Sequence, residues 1–241
     1  MKIQGIALPR ANKRLTALYN HALALADNTD VVTDVGADHG YLAAMLAKSN
    51  RFAKVIATDI SAPSLQKTTQ LASQLGLQIE TRVGDGLTVA PETTLACICG
   101  MGGYEIIKIL ETKPTTLKFV FQPVQNPTEL RFFLLKNGYK IEQDYVLQDK
   151  NKFYYIIVVN GFGKNKYTKL DKLFGKDNIN KKSADFMLYL QSLVNRLNFL
   201  EKFDIKTVAI KQRKEIRAKQ KYYKLCKKLL KTGSAVWYKK F

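Results

Sequence analysis

Short strand-like runs alternate with helix-like stretches over the first 160 residues, and this alternation limits the possible folds more than any other feature. After an amphipathic helix at 11–26, five β-rich runs occur at 31–35, 55–59, 79–83, 95–99 and 119–122. Helical patterns lie between or after them, at 41–48, 64–75, 104–111 and 127–137. Two more β-rich runs, 140–147 and 153–159, flank a polar turn and predict a hairpin. The order predicts an α/β fold with a doubly wound, mostly parallel sheet and an antiparallel edge hairpin.

The pattern changes after residue 160. Residues 161–180 are polar and lysine-rich, which is typical of a linker. Beyond them, leucine and phenylalanine recur at steps of four and three residues, the spacing of a coiled-coil seam: Phe186, Leu190, Leu193, Leu197 and Leu200. A second helix with a similar seam follows a break near 203–206, and we expect Gly233 to end it. The sequence therefore predicts two domains, 1–160 and 161–241, the second a helical hairpin (coiled coil).

The charge of the chain is concentrated in the predicted second domain. The formal net charge is +19, from 39 Lys+Arg and 20 Asp+Glu. Residues 161–241 hold 22 of the basic and 6 of the acidic residues, a net charge of +16. A drift of composition toward lysine would act along the whole chain, so the asymmetry favours a polyanion-binding module over a merely solvated basic face. A membrane surface is a weaker alternative, because neither helix pairs a clean apolar face with a lysine face.

We expect this module to contact a nucleic acid through basic residues of its second helix, and the N-terminal helix to extend the same surface. The residues concerned are Lys214, Arg217 and Lys221, with Arg10, Lys13 and Arg14. The phosphates of a nucleic acid are the groups that lysine and arginine side chains bind.

The sequence also predicts a cytoplasmic location. No run approaches the roughly 18 apolar residues of a membrane span, and the first residues lack the apolar core of a signal peptide. The three cysteines, Cys97, Cys99 and Cys226, are odd in number and sparse, as in reduced cytosolic proteins. A metal site would need more ligands at a different spacing, so we expect no metal. Neither a membrane nor an obligate protein partner is indicated.

The segment from Asp34 to Tyr41 follows a strand and opens a helix. A nicotinamide fingerprint would need glycine at positions 36, 38 and 41, but Asp38 and Tyr41 occupy two of them. An acid at this turn would repel a pyrophosphate and suits a zwitterion such as S-adenosylmethionine, which carries an ammonium, a sulfonium and a carboxylate. We expect Asp34 and Asp38 to meet the cationic groups, and backbone N–H groups of the turn to meet the carboxylate.

Two further acids follow the next two strands. Asp59 lies 23 residues after Gly36, where an acid typically binds the ribose hydroxyls of an adenosine-containing ligand. Asp85 lies between two glycines and suits the adenine amino group. Each acid alone is also a plausible helix cap, but three at successive strand ends converge where α/β sheets bind ligands. The predicted cofactor site comprises Asp34, Gly36, Ala37, Asp38, Gly40, Asp59, Ile60, Gly84, Asp85, Gly86, Gly100, Met101 and Gly102.

A glycine-rich turn, Gly100-Met101-Gly102-Gly103, follows the fourth strand. It is either a flexible turn or a turn without bulky side chains, which would let a flat base reach the methyl group of the cofactor. The Asp/Asn-Pro-Pro-aromatic motif of many amino-methylating enzymes is absent here. After the fifth strand, Gln122 and Asn126 are candidates for hydrogen bonds to a base edge, and Pro123 for a wall of the pocket.

These motifs together resemble the TrmK family, the bacterial tRNA N1-methyladenosine methyltransferases that act on adenosine 22. The similar features cover most of residues 10–160: Arg14-Leu15, the Asp-x-Gly-x-Asp-His-x-Tyr-Leu pattern of 34–42, the Gly-Met-Gly-Gly turn, Gln122-Pro123, Leu130-Arg131, Gly138 and Phe153-Tyr154. Phe174-Gly175 resembles an element that precedes a two-helix domain in that family. One departure is Val124-Gln125, where small polar residues are expected. The resemblance implies a class I methyltransferase core, S-adenosylmethionine as cofactor and tRNA as substrate.

Three adjacent residues are the catalytic candidates. N1 of adenine carries a free lone pair at neutral pH, and methylation makes the base cationic, so a nearby carboxylate helps more than a strong base. Asp38 suits that role or the acceptance of a proton from the N6 amine, and equally well the binding of the cofactor ammonium. His39 is either a base or a helix-capping residue, and Tyr41 either stacks on the base or packs in the core.

Two other functions fit the same residues: a non-catalytic RNA-binding protein on a methyltransferase fold, and a methyltransferase of another RNA. For any paired adenosine, N1 lies on the Watson–Crick edge, so the base must leave its pair before it reacts.

Overall fold

The computed structural model describes residues 2–3, 6–7, 12–207 and 209–237. The chain divides into two compact units, Met1–Ile179 and Asn180–Phe241. The first unit is the larger and holds the sheet, whereas the second is helical.

The bounds of the elements follow the predicted alternation closely. The strands are β1 Lys2–Ile3, β2 Ile6–Ala7, β3 Val31–Val35, β4 Lys54–Asp59, β5 Glu80–Val83, β6 Leu95–Cys99, β7 Lys118–Gln122, β8 Tyr139–Asp149 and β9 Lys152–Phe162. The helices of this part are α1 Lys13–Leu25, α2 Tyr41–Lys48, α3 Ala62–Leu75, α4 Gly103–Glu111, α5 Pro127–Lys136, α6 Lys169–Phe174 and α7 Lys176–Lys181.

Seven strands form one sheet in the order β5-β4-β3-β6-β7-β9-β8. The strands from β5 to β7 are parallel to their neighbours, while β9 pairs antiparallel with β7 and with β8. The chain first builds β3, β4 and β5 outward, then returns to place β6 on the other side of β3. This reversal opens a crevice at the carboxyl ends of β3 and β6, where doubly wound sheets bind ligands. The predicted fold class is confirmed.

Two apolar layers pack on the two faces of the sheet. On one face, α1, α2 and α3 bury side chains such as Leu18 and Leu46 against Val32 and Val120. On the other face, α4 and α5 bury Ile106, Leu130 and Leu134 against Ile98, Phe119 and Phe121. Cys97 and Cys99 both contact the first layer, as their alternation on one strand predicts. All three cysteines are free thiols.

Local signals explain where the helices near the crevice begin and end. Ser61 caps α3 by accepting the N–H of Ser64 at 3.3 Å, and Gly76 ends the helix in a left-handed conformation with φ of 62°. Helix α2 has no side-chain N-cap, because Gly40 stands at that position with φ of 69°.

The segment that the sequence assigns to a linker packs on the first unit instead. The side chains of Asp177 and Asn178 accept the N–H groups of Asp144 at 2.7 Å and Val146 at 3.0 Å. These hydrogen bonds cover part of the edge strand β8, which would otherwise present unpaired backbone groups. Residues 161–179 therefore belong with the sheet, and the compact units divide at residue 179 rather than at 160.

The second unit contains two helices, α8 Ala184–Leu197 and α9 Ile210–Trp237, with 3-10 turns at Asn198–Glu201 and Ile205–Thr207 between them. They run antiparallel, because the end of the first turn, at Glu201, contacts Tyr223 and Lys227 in the middle of α9. Most of the predicted seam is buried, although Leu197 is partly exposed; the buried members are Phe186, Leu190, Leu193, Leu200, Tyr223 and Cys226.

The expectation that Gly233 ends the second helix is wrong, since α9 continues to Trp237. Gly233 is buried within the helix, where a Cβ atom would collide with the side chain of Met187. The glycine thus serves the close approach of α8 and α9. No helix in the described part of the chain is long and apolar enough to cross a membrane.

Candidate active site

Three acids meet at the crevice, at or just beyond the carboxyl ends of β3, β4 and β5. Asp34 is the second-last residue of β3, Asp59 is the last residue of β4, and Asp85 follows the end of β5. They line two adjoining pockets of about 400 and about 420 Å³, the first around Asp34 and the second around Asp59 and Asp85. Gly36 belongs to both pockets, and a Cβ atom there would lie 2.5 Å from the methyl carbon of Met101. The parallel register therefore assembles the acids as the strand-end argument predicts.

Eleven of the thirteen predicted cofactor residues line these pockets, and two do not. Lining the first are Asp34, Gly36, Ala37, Asp38 and Gly100, and lining the second are Gly36, Asp59, Ile60, Gly84, Asp85, Gly86 and Met101. Gly40 is buried, and a Cβ atom there would come within 2.5 Å of Thr68 on α3. Gly102 is also buried, and its N–H donates to Glu105 at 2.6 Å. Both glycines serve local packing and capping.

Asp34 is a buried carboxylate without a cationic partner. Its side chain is 4% exposed, and Oδ2 accepts the N–H of Ala43 in the first turn of α2 at 3.1 Å. Among the described residues no lysine, arginine or histidine lies within ion-pairing distance of it. Burial raises the pKa of Asp34 to about 7, although the hydrogen bond from Ala43 works in the opposite direction.

The backbone of the glycine turn is already hydrogen-bonded within the protein. The N–H groups of Gly36 and Ala37 both donate to the carbonyl of Thr58, at 2.8 and 3.1 Å. The N–H of Asp38 donates to Asp59 at 3.3 Å, and that of Gly40 to Ala37 at 2.8 Å. The hydrogens of these four N–H groups therefore point to acceptors within the protein, and the predicted contact between the turn and a ligand carboxylate would fall to its other N–H groups.

Asp38, His39 and Tyr41 form one patch on the rim of the first pocket. The carboxylate of Asp38 is about half exposed and lies 3.4 Å from Lys67 Nζ and 3.5 Å from His39 Nε2. The rings of His39 and Tyr41 stack with centroids 5.6 Å apart and an angle of 13° between their planes. Tyr41 is thus a rim residue rather than a core aromatic, and the three candidates share one surface.

Asp59 both caps its own turn and faces the second pocket. Its carboxylate accepts the N–H groups of Ser61 at 2.8 Å and of Asp38 at 3.3 Å. Ile60 beside it is 78% exposed, which makes an apolar wall available at the pocket. The capping role and the ligand-binding role are compatible, since a carboxylate has four lone-pair directions.

The glycine-rich turn after β6 is bonded to the turn after β7. Gly100 N–H donates to Gln122 at 3.0 Å, Val124 N–H to Met101 at 2.8 Å, and Gly103 N–H to Gln125 at 2.8 Å, all through backbone carbonyls. A Cβ atom on Gly103 would collide with the backbone of Asn126. The two turns are thus one rigid double loop.

The structure buries two predicted substrate residues, Gln122 and Pro123. Gln122 is 1% exposed, and its Oε1 accepts a hydrogen bond from Nη1 of Arg14 at 2.8 Å. Gln122 therefore holds Arg14 and the glycine-rich turn, and it does not face a bound base in this structure. The burial follows from helix α1, which packs over the end of β7.

The other predicted substrate residues are distributed over both units. Lys13 is exposed on α1, and Asn126 is partly exposed at the start of α5 with φ of 55°. Lys214, Arg217 and Lys221 are exposed on α9 of the second unit. Arg10 lies outside the described residues.

Sequence reasoning missed several pocket residues. Cys99 lines the first pocket as the last residue of β6, a position that the strand-end argument could have marked. Burial raises the pKa of its thiol, so it stays protonated and unreactive at neutral pH. Glu105 and Lys108 of α4 line the second pocket, and no motif marked them. Among the described residues no group of three potential metal ligands occurs.

A doubly wound sheet with acids at three strand ends, and without a pyrophosphate-binding glycine fingerprint, matches the expected architecture of a class I methyltransferase. A family model described as TrmK, tRNA (adenine(22)-N(1))-methyltransferase, matches residues 32–224. The chain therefore belongs to the TrmK family. The resemblance that the sequence motifs indicate is confirmed, and with it the activity of the family, methylation of adenine N1 in tRNA.

Individual relatives agree with this assignment. MG248 of Mycoplasma genitalium, provisionally named a tRNA methyltransferase, is 34% identical over 182 residues, 73% of this chain and 82% of that protein. The tRNA (adenine(22)-N(1))-methyltransferase of Bacillus subtilis is 32% identical over 139 residues, 54% of this chain and 58% of that protein. The structure of Streptococcus pneumoniae Sp1610 with S-adenosyl-L-methionine is similar at a TM-score of 0.75 and 25% identity, over 90% of this chain and 98% of that one.

Proposed function

We propose that the first unit binds S-adenosylmethionine across the two adjoining pockets and presents its methyl group to N1 of adenine 22 in tRNA. The observation that carries the proposal is the convergence of Asp34, Asp59 and Asp85 around pockets that share Gly36. The Streptococcus pneumoniae relative was solved with this cofactor, which supports the same ligand here.

The residues fit the chemistry of this cofactor. Asp34 is buried, has no cationic partner among the described residues and suits the ammonium group of the methionyl part. Asp59 and Asp85 in the second pocket provide acceptors for ribose hydroxyls and for the adenine amine. When bound, the cofactor supplies an electrophilic methyl group on a sulfonium.

Asp38 is then available for the base rather than for the cofactor. A buried, unpaired carboxylate binds a cation more strongly than an exposed one, so the ammonium selects Asp34 over the half-exposed Asp38. The carboxylate of Asp38, on the rim, stabilises the positive charge that develops on adenine as N1 is methylated. His39 lies next to it and accepts a proton from the N6 amine when the product loses one.

The rim also provides a place for the base to lie. The stacked rings of His39 and Tyr41 offer an aromatic surface, and base–aromatic stacking is worth about 1–3 kcal/mol per base. The bare turn at Gly100 leaves room beside it. An adenine extruded from the RNA fold thus meets a flat platform and a carboxylate at one edge of the first pocket.

The second unit binds the tRNA in this proposal. Residues 180–241 hold 17 Lys+Arg against 4 Asp+Glu, and Lys214, Arg217 and Lys221 project into solvent from α9. Lysine and arginine side chains on such a surface neutralise phosphates, and the counterions released from the RNA favour binding. Because its substrate is tRNA, we place the enzyme in the cytoplasm and assign it no membrane, metal or obligate protein partner.

Incorporation of labelled methyl groups into unmodified tRNA tests the function. We expect 1-methyladenosine at position 22, and no product with a tRNA that carries guanosine there. Tight cofactor binding without methylation of any tRNA would instead favour the non-catalytic RNA-binding alternative. A product elsewhere in the tRNA, or methylation of another RNA alone, would favour a different substrate.

Charge removal on the full-length chain tests the role of α9. Replacing Lys214, Arg217 and Lys221 by Gln is expected to raise KM for tRNA about tenfold or more, and to flatten the dependence of log K on log salt. The matched control replaces three exposed lysines of the first unit, Lys113, Lys136 and Lys164, and is expected to change KM less than threefold. Equal effects of the two triple variants would contradict a specific role for α9.

A further inference from the structure

Four of the backbone N–H groups in the glycine turn already have acceptors within the protein. In many α/β sheets the backbone N–H groups after the first parallel strand bind the anionic part of a ligand. Here the N–H groups of Gly36 and Ala37 are both directed to Thr58, that of Asp38 to Asp59, and that of Gly40 to Ala37. Four N–H groups of the turn are thus directed away from the pocket, and a side chain with a positive charge becomes the stronger candidate for the methionyl carboxylate.

Arg14 brings a positive charge into the same pocket as Asp34. It lies at the start of α1 and lines the pocket together with Asp34, Gly36 and Tyr41. Its guanidinium is 2.8 Å from Oε1 of Gln122 through Nη1 and lies 5.5 Å from the centre of the Tyr154 ring. These contacts fix the side chain while leaving other N–H groups of the guanidinium for a ligand.

Arg14 and Asp34 influence each other without forming an ion pair. Within the described part of the chain, no pair within 4 Å joins them, yet the charge of Arg14 acts to lower the pKa of Asp34. The pocket therefore carries one positive and one negative group separated by space. That arrangement is complementary to an amino acid zwitterion, whose ammonium and carboxylate are attached to the same carbon atom.

We propose that Arg14 binds the carboxylate of the methionyl part of S-adenosylmethionine, and that Gln122 positions Arg14 for this contact. The inference rests on the proposed function. It replaces the expectation that Arg14 contacts tRNA, and it accounts for Gln122, whose buried amide has its oxygen directed at the guanidinium. A fork of N–H donors suits a carboxylate particularly well.

Binding of two cofactor forms to the full-length protein tests the proposal. One probe is S-adenosylmethionine, and the other is decarboxylated S-adenosylmethionine, which keeps the amine and the sulfonium but has no carboxylate. For Arg14→Gln we expect the affinity for the first probe to fall about 10–100-fold, as for loss of a charge-assisted hydrogen bond. Affinity for the second probe should change less than about threefold, because it makes no such contact.

The matched control is Arg51→Gln, which removes the same charge from an exposed arginine outside the site. It should leave both affinities unchanged. A second pair of variants tests positioning: Gln122→Met removes the acceptor for Arg14 and should reduce discrimination between the probes, whereas Gln122→Glu keeps an acceptor and should retain it.

Each outcome decides between alternatives. An equal loss for both probes in Arg14→Gln would overturn the proposal in favour of a purely structural role. Unchanged affinity for both, combined with weaker tRNA binding, would overturn it in favour of an RNA contact. If the wild-type protein binds neither probe, the proposed function itself fails, and the inference with it.

Discussion

Two buried carboxylates, Asp34 and Asp144, show how one residue type serves ligand binding in one region and architecture in another. Both lie on strands of the same sheet, and burial raises the pKa of each. Both oxygens of Asp144 are 2.8 Å from Nε of Arg131, and Tyr167 donates to one of them at 3.2 Å. Asp34 accepts one backbone N–H, and no residue in the described part of the chain forms an ion pair with it.

The two carboxylates differ in whether a cation of the protein balances their charge. The cluster around Asp144 balances its charge within the protein and joins α5, β8 and the segment before α6. Gly175 belongs to the same region, since a Cβ atom there would lie 2.7 Å from the carbonyl oxygen of Asp144. The charge of Asp34 is left for a ligand to balance. The Asp144 carboxylate therefore contributes to the fold, whereas the Asp34 carboxylate is available to bind a cationic ligand.

Removing the cation of the Asp144 cluster should have the largest effect on stability. For Arg131→Leu we expect a loss of about 3–5 kcal/mol in the free energy of unfolding, because Asp144 is left buried without its cation. Denaturant unfolding measures it. Lys136→Leu, an exposed lysine on the same helix, should stay within about 0.5 kcal/mol of wild type. Similar values for both variants would show that the Asp144 cluster is not structurally important.

The reverse pattern is expected at Asp34. For Asp34→Asn, affinity for S-adenosylmethionine should fall about 10–100-fold, since a charge-assisted contact with the ammonium is lost. The free energy of unfolding at pH 8 should be unchanged or higher, because the amide still accepts from Ala43 and carries no buried charge. Calorimetric binding and denaturant unfolding on the same samples check both parts. A large loss of stability with unchanged cofactor affinity would instead assign Asp34 a structural role.

Cofactor affinity should also depend on pH through Asp34. Since its pKa is about 7 in the free protein, the group is largely protonated below that value and must lose a proton to bind a cation. Affinity is therefore expected to rise with pH, about tenfold between pH 5.5 and 7. Titrations at several pH values measure the slope. It should persist in His39→Gln and vanish in Asp34→Asn; persistence in the latter would assign the titration to another group.

The smallest expected effect on stability concerns one hydrogen bond of the Asp144 cluster. Tyr167→Phe removes the hydroxyl that donates to Asp144 and should cost about 1 kcal/mol of stability, because Arg131 remains in place. Thermal unfolding detects such a change, and cofactor affinity should not move. A weaker cofactor affinity in this variant would show that the two carboxylate regions are coupled.

Much of the fold and part of the site could be predicted from local signals. The β-branched run at 31–35 and the helix at 41–48 match the observed elements residue for residue, because strand propensity and helical periodicity agree there. Asp34 and Asp59 were identifiable because parallel strands bring their carboxyl ends to one edge of a sheet. That reasoning needs only the order of the elements.

Three of the failures concern contacts between residues distant in sequence. Gln122 looked like a base-binding residue, but its burial depends on α1 covering the end of β7. Residues 161–179 looked like a linker because their composition is polar, yet Asp177 and Asn178 bond to the edge strand. Gly233 looked like a helix end, and the approach of Met187 explains it instead. Propensity and composition do not report such long-range packing.

The shared glycine between the two pockets also defines how this site can be blocked. Each half, at about 400 Å³, is large enough for a separate small fragment, one zwitterionic and one purine-like. Gly36, with Met101 close over it, is the passage between them. A compound that joins the two fragments across that passage would bind its second half intramolecularly, so its affinity could exceed that of either fragment by orders of magnitude if the linker passes Met101.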